Sequence, residues 1–187
     1  MSLIQKEIAD FTVQCYQNNA FPSCLPRRTS WASGACSFFY PADFTFVCPT
    51  ELEDLANLYE KFQAIGCEIY SVSCDTHFVH KAWHDASERI QNIQYPMLAD
   101  PTHCLAKDFE VYIEADGVAE RGSFIVNPEG KSWPMRSTPA TWAGTPMNFC
   151  GRSRPASSWR STGTRCARRR AARRRDLKPS LDLVGQV

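Results

Sequence analysis

The sequence has no C-x-x-C pair, although it carries nine cysteines in 187 residues. That spacing is what a dithiol oxidoreductase needs, so this class is disfavoured. No run of 18 apolar residues occurs, and no transmembrane helix or membrane partner is expected. The opening MSLIQKEIADFTV has early acids and no apolar block leading to a small-residue cleavage site. A signal peptide is therefore not expected, and the cytoplasm is the expected location. In a reducing compartment cysteines are more often free, catalytic or redox-active than structural staples. Their odd number also prevents all of them from pairing within one chain. There is no internal repeat.

A local absence is sharper. Residues 132–175 hold eleven arginines, no Asp, Glu or Lys, and no Leu, Ile, Val or Tyr. The net charge of +1 hides this block, because the rest of the chain carries −10. A segment built from Arg, Ser, Thr, Ala, Pro, Gly and Trp has no aliphatic face to bury and is not expected to form an ordinary amphipathic element. Its run RCARRRAARRRD, with Trp133, Trp142 and Trp159 nearby, has a composition that can bind phosphate and stack bases. No nucleic-acid-binding motif accompanies it, and a charge run alone more often marks a solvated tail. No nucleic-acid partner is expected.

Elsewhere the chain alternates between two periodicities. SFFY (37–40) reads as the end of a buried strand broken by Pro41. From Thr50 a helical pattern opens, with Leu52, Leu55, Leu58, Tyr59 and Phe62 at helical spacing and Gly66 able to cap the end. CEIYSVS (67–73) reads as a strand and HFVHKAWHDASERIQ (77–91) as a helix. YPMLAD (95–100) reads as a short strand, THCLAKDF (102–109) as a short helix, and RGSFIVNPEGK (121–131) as a strand closed by a turn. Alternating strands and helices predict an α/β domain with a central sheet. The pattern stops near Ser132 and returns at DLKPSLDLVGQV (176–187).

FYPADFTFVCPTE (39–51) ends a run of strand-forming aromatics in a cysteine. Cys48 is expected just before or within the first turn of the following helix. Unpaired N–H groups and partial positive charge there favour thiolate and lower the cysteine pKa. Pro49 suits a first helical position, having no N–H to leave unpaired. Thr45 can turn its hydroxyl toward the sulfur or toward a bound oxygen ligand. The plain alternative is an inert core cysteine, since free Cys is among the most buried residue types.

PADFTFVCPTE contains P-x-x-x-T-x-x-C as Pro41, Thr45 and Cys48. It resembles the active-site loop of typical two-cysteine peroxiredoxins, most closely the alkyl hydroperoxide reductase C subfamily. SVSCDTHFVHKAWH (71–84), YPMLADPT (95–102), AERGSFIVNPEGK (119–131) and PSLDLVG (179–185) resemble the same subfamily. The likeness covers roughly residues 1–21, 37–131 and 176–187. It implies a thioredoxin-like fold with a central mixed β-sheet flanked by helices. It also implies a thiol peroxidase acting on hydrogen peroxide and small organic hydroperoxides. Cys48 is then the peroxidatic cysteine, Thr45 a hydrogen-bond partner of the peroxide, and Pro41 a shield for the sulfenic acid. Arg121 would stabilise the thiolate and polarise the O–O bond, and Glu51 would orient Arg121. Taken alone, Arg121 would read as a surface salt bridge.

The resemblance further implies a resolving cysteine near the C-terminus of a second subunit. A flavoprotein disulfide reductase or thioredoxin-like donor would reduce the disulfide, and dimers would assemble to a decamer. The expected setting is EVCPAKW, whereas Cys166 stands in TRCARRR. One codon spelling of residues 164–170, ACG AGG TGT GCC CGG CGA AGG, read two nucleotides later gives EVCPAK. Residues 132–175 are therefore expected to be out of frame, and PSCLPRRTSWASGAC (22–36) looks shifted in the same way. The expected organisation is a domain over 1–131 with 22–36 aberrant, an aberrant 132–175, and a family-like tail over 176–187.

Two other activities are weighed: an inactive or misfolded product of a shifted gene, and a holdase chaperone of the kind some peroxiredoxin assemblies provide. The tail lacks the Tyr-Phe ending and Gly-Gly-Leu-Gly loop of the overoxidation-sensitive relatives, so the chain resembles the robust bacterial type. His77, His80 and His84 share a helix face at a spacing that permits metal binding. No further ligand completes such a site, and they read as structural or surface histidines. No metal, haem or flavin is implied. Cys15, Cys24, Cys36, Cys67, Cys74, Cys104 and Cys150 match no family catalytic position and read as inert or as products of the shifted stretches.

Overall fold

The computed structural model describes residues 6–24, 34–127 and 130–135. Ten strands and four α-helices lie within them. The strands are β1 (Lys6–Glu7), β2 (Val13–Tyr16), β3 (Ser23–Cys24), β4 (Ala35–Phe39), β5 (Glu68–Ser73), β6 (Met97–Ala99), β7 (Tyr112–Ile113), β8 (Val118–Ala119), β9 (Gly122–Val126) and β10 (Lys131–Met135). The helices are α1 (Cys48–Ala56), α2 (Tyr59–Ala64), α3 (His77–Ala86) and α4 (Cys104–Asp108). Eight strands form one sheet in the order β1-β10-β9-β4-β5-β6-β2-β3, and β7 and β8 make a separate hairpin.

The centre of the sheet is parallel, β4 to β5 and β5 to β6. Parallel neighbours need crossovers, which α1–α2 and α3 supply. The edges β9, β10, β1, β2 and β3 pair antiparallel. The sheet is thus mixed, as expected. β4 is buried along its whole length, and its side chains alternate between two cores, as the two-residue period of a strand requires. Cys36, Phe38 and the following Tyr40 pack with Leu52, Phe62, Ile69 and Trp83 on one face. Ala35 and Phe39 pack with Val72, Leu105, Phe109 and Phe124 on the other.

Three expected boundaries shift. The helix read from Thr50 begins at Cys48 and splits at Asn57–Leu58. Leu58 N–H bonds the Leu55 carbonyl at 3.1 Å, a tightened turn that brings both Leu58 and Tyr59 to the core. Gly66 ends α2 as expected, with φ +72 and its N–H on the Gln63 carbonyl. The helix read over 77–91 stops at Ala86, and a 3-10 turn at Ile90–Asn92 follows. Ile90 and Ile93 are buried there, so packing overrides the continuous helical pattern.

The sheet also runs past Ser132, where the pattern was expected to stop. β10 pairs Ser132 with Val126 and Met135 with Ser123, and Ser132 is buried. A strand needs backbone pairing more than aliphatic content, so composition alone does not exclude one here. Likewise the last residues of the 22–36 stretch are sound core: Ala35 and Cys36 are fully buried in β4. Residues 25–33 and 136–187, including Cys166, lie outside the described residues.

Candidate active site

The loop 40–47 leaves the centre of the sheet and delivers Cys48 as the first residue of α1. Tyr40 N–H still bonds the Val72 carbonyl at 3.1 Å, so the loop starts from a fixed point on β5. Pro41 then turns the chain and is half-buried. Phe44 adopts φ +54, a left-handed backbone that costs an L-residue roughly 1–2 kcal/mol. Its ring lies 6.1 Å from that of Trp83, which also neighbours Tyr40 at 6.2 Å. The Thr50 hydroxyl and N–H both bond the Val47 carbonyl and close the first turn. Pro49 sits at the start of the helix, as expected.

Arg121 approaches from the residue before β9. Its Nη2 donates to Cys48 Sγ at 3.3 Å and its Nε to Glu51 Oε2 at 3.1 Å. One guanidinium thus ties the sulfur to a carboxylate three residues along α1. Burial alone would lower the Arg121 pKa, but Cys48 and Glu51 outweigh it and raise it, so the group is a permanent cation. Burial pushes the Glu51 carboxyl up against the opposing pull of Arg121. Thr45 Oγ donates to the Ala42 carbonyl at 3.0 Å and also interacts with Cys48. A hydroxyl has one proton, which can swing from the carbonyl to a thiolate.

The thiol itself corrects one expectation. Cys48 is fully buried, and its pKa is raised rather than lowered. Burial is the largest cause and Glu51 adds to it, while Thr45, Arg121 and the Ala42 backbone pull down. Desolvation of the anion at this buried position outweighs the pull of Thr45, Arg121 and the Ala42 backbone.

Cys48, Thr45, Arg121 and Glu51 are therefore brought together, with Pro41 in the same loop. The histidine face divides. His80 turns into the core, whereas His77 packs on Phe21 and His84 on Tyr16 at 5.0 Å each. Among the described residues no three His, Cys, Asp or Glu groups could hold a metal ion. Cys36, Cys48, Cys67, Cys74 and Cys104 are not in disulfides. Cys15 is disulfide-bonded, which departs from the expectation that cysteines here are more often free or redox-active than structural staples. The sequence reading missed Asp43, which lies inside the loop and bonds His80 Nδ1 at 2.7 Å. A charged residue amid the aromatics of PADFTF was the available signal.

Comparisons with known proteins bear on the family and the fold. The AhpC/TSA family matches residues 4–131. Alkyl hydroperoxide reductase C of Staphylococcus aureus is 42% identical over 193 residues, covering all of both chains. The crystal structure of Enterococcus faecalis AhpC superposes with a TM-score of 0.72 at 46% identity, covering 75% of this chain and 84% of that one. The reduced 2-Cys peroxiredoxin of Plasmodium vivax gives 0.72 at 25% identity, over 80% and 93%. The fold is that of the thioredoxin-like peroxiredoxins, and the chain belongs to the AhpC/TSA family.

Proposed function

We propose that the chain is a thiol-dependent peroxidase of the alkyl hydroperoxide reductase C type. The carrying observation is the Arg121 guanidinium, 3.3 Å from Cys48 Sγ and held by Glu51. The Cys48 thiolate attacks the terminal oxygen of hydrogen peroxide or a small organic hydroperoxide. An S–O bond forms, the O–O bond breaks, and the leaving oxygen departs as water or alcohol once protonated. Arg121 stabilises the anion that attacks and the charge that develops on the leaving oxygen. The Thr45 hydroxyl turns from the Ala42 carbonyl to the peroxide, and Pro41 limits water at the sulfenic acid. Burial raises the Cys48 pKa, so the rate rises with pH as the thiolate forms.

The sulfenic acid then condenses with Cys166 of a second subunit, releasing water and leaving a disulfide. A flavoprotein disulfide reductase or thioredoxin-like donor supplies two electrons to reopen it. The working assembly is a homodimer that builds a decamer, in the cytoplasm. Among the described residues no helix is long and apolar enough to cross a membrane. The domain reading of 1–131, an out-of-frame 132–175 and a family tail at 176–187 belongs to the same proposal, with β10 extending the domain to Met135. Resequencing the gene tests the frame directly. Neither the holdase nor the inactive-product reading is favoured by the family match.

The test is peroxide consumption with a dithiol donor. The intact chain consumes hydrogen peroxide catalytically. Cys48→Ser loses on the order of a thousandfold or more, as removal of a nucleophile does, while Cys104→Ser does not. Equal rates for Cys48→Ser and the parent chain would overturn the proposal.

A further inference from the structure

His80 is buried, bonded to the loop that leads to Cys48, and unused by the chemistry above. Its side chain is 0% exposed and that of Asp43 is 1%. His80 Nε2 lies 3.1 Å from the Leu98 carbonyl on β6. A carbonyl only accepts, so Nε2 carries a proton. His80 Nδ1 lies 2.7 Å from Asp43 Oδ2. Two bare acceptors cannot face each other at that distance, so a second proton lies between them. Asp43 Oδ1 accepts from the Tyr40 hydroxyl at 2.7 Å. The Asp43 N–H donates to Asp75 Oδ2 at 2.9 Å, and that oxygen also accepts from the Ser73 hydroxyl at 2.8 Å.

Asp43 is thus pinned by both side chain and main chain to the ends of β4 and β5, to α3 and, through His80, to β6. The strained Phe44 follows it immediately, then Thr45. A left-handed aromatic residue persists only where its surroundings over-determine it. We propose that His80 is a positioning residue for Cys48: acting through Asp43, with one proton shared between the two side chains, it holds the loop that sets Thr45 and Cys48 against Arg121. This rests on reading Cys48 as the peroxidatic nucleophile. The ionisable groups facing the pair are Asp75 from the end of β5 and Tyr40 from the end of β4. Burial opposes a charge on His80, but the hydrogen bond and charge of Asp43 outweigh it and raise its pKa. Loss of the shared proton as pH rises would set two acceptors against each other and release the loop.

The experiment uses the full chain as wild type, His80→Leu and His80→Asn. Leucine removes the donor, whereas the asparagine amide can still donate to Asp43. Two rates are read at Cys48 by peptide-resolved mass spectrometry: oxidation by hydrogen peroxide, and alkylation by iodoacetamide as a function of pH. His80→Leu is expected to slow oxidation about tenfold at neutral pH and to shift the alkylation profile, the scale of a lost charge-assisted hydrogen bond. His80→Asn is expected to recover most of both. Folded variants that both match wild type, or an asparagine variant as impaired as leucine, overturn the proposal. If His80→Leu does not fold, nitrogen-15 spectra of the wild-type histidines decide. A downfield proton on Nδ1 of His80 supports the shared proton, and free titration near about pH 6.5 overturns it. Wild-type Cys48 that alkylates with the expected dependence on His80 yet ignores peroxide would instead refute the peroxidase reading alone.

Discussion

At Cys48 two demands conflict. Reactivity needs the anion, yet burial disfavours it, and here burial is the larger influence. Arg121 is the compensating group, and it works through two different nitrogens, one on Cys48 and one on Glu51. A lysine offers one compact point charge in place of this planar fork of donors. Arg121→Lys should therefore slow Cys48 oxidation by about tenfold or more, measured by stopped-flow mixing with hydrogen peroxide. Glu51 pushes the Cys48 pKa up, so Glu51→Gln should move the Cys48 alkylation profile to lower pH. A shift upward would show that orientation of Arg121 by the carboxylate outweighs its charge. At this scale the sequence was informative where a motif is contiguous. Pro41, Thr45, Cys48 and Glu51 fall within eleven residues, and the likeness of AERGSF supplied Arg121. The Asp43–His80 contact joins residues 37 apart in the chain, and no local pattern encodes such a pairing.

Among the elements, the helices obeyed their punctuation where capping decided and departed from it where packing did. Thr76 precedes α3 with extended backbone, and its side chain accepts from the Val79 N–H. Thr76→Ala should cost about 1 kcal/mol of stability, read from urea unfolding. Because α3 carries His80, some loss of Cys48 reactivity should accompany it. The split between α1 and α2, and the early end of α3, were invisible in a 3.6-residue pattern. Leu58, Tyr59, Ile90 and Ile93 are buried by tertiary contact in places where a continuous helix would turn some of them outward. β10 was hidden for the opposite reason. Its residues carry no strand-like composition, yet β9 and β1 offer backbone partners on both sides.

For the whole molecule, the parallel centre and the two cores follow from the strand–helix alternation, and the sheet order from which edges were left to pair. Several ionisable groups are buried or partly buried in these cores. Burial pushes up the pKa of Cys36, Tyr40 and Tyr95, and Cys74 is pushed up to about 11 by burial and by Asp100 and Asp75. Each holds its proton more tightly folded than unfolded. Above the ordinary cysteine range the unfolded chain therefore ionises first, and stability falls as pH rises. The urea midpoint should be lower at about pH 10.5 than at about pH 8. An unchanged midpoint would mean these groups are hydrated.

The most direct test of Cys48 as the peroxidatic residue is to map cysteine states in the full chain after one equivalent of hydrogen peroxide. A sulfenic-acid trap is present, and digestion is non-reducing. The expected result is selective trapping at Cys48, with any intersubunit link running from Cys48 to Cys166. Oxidation spread evenly over the cysteines outside disulfides, with Cys48 no faster than the exposed Cys104, would contradict it.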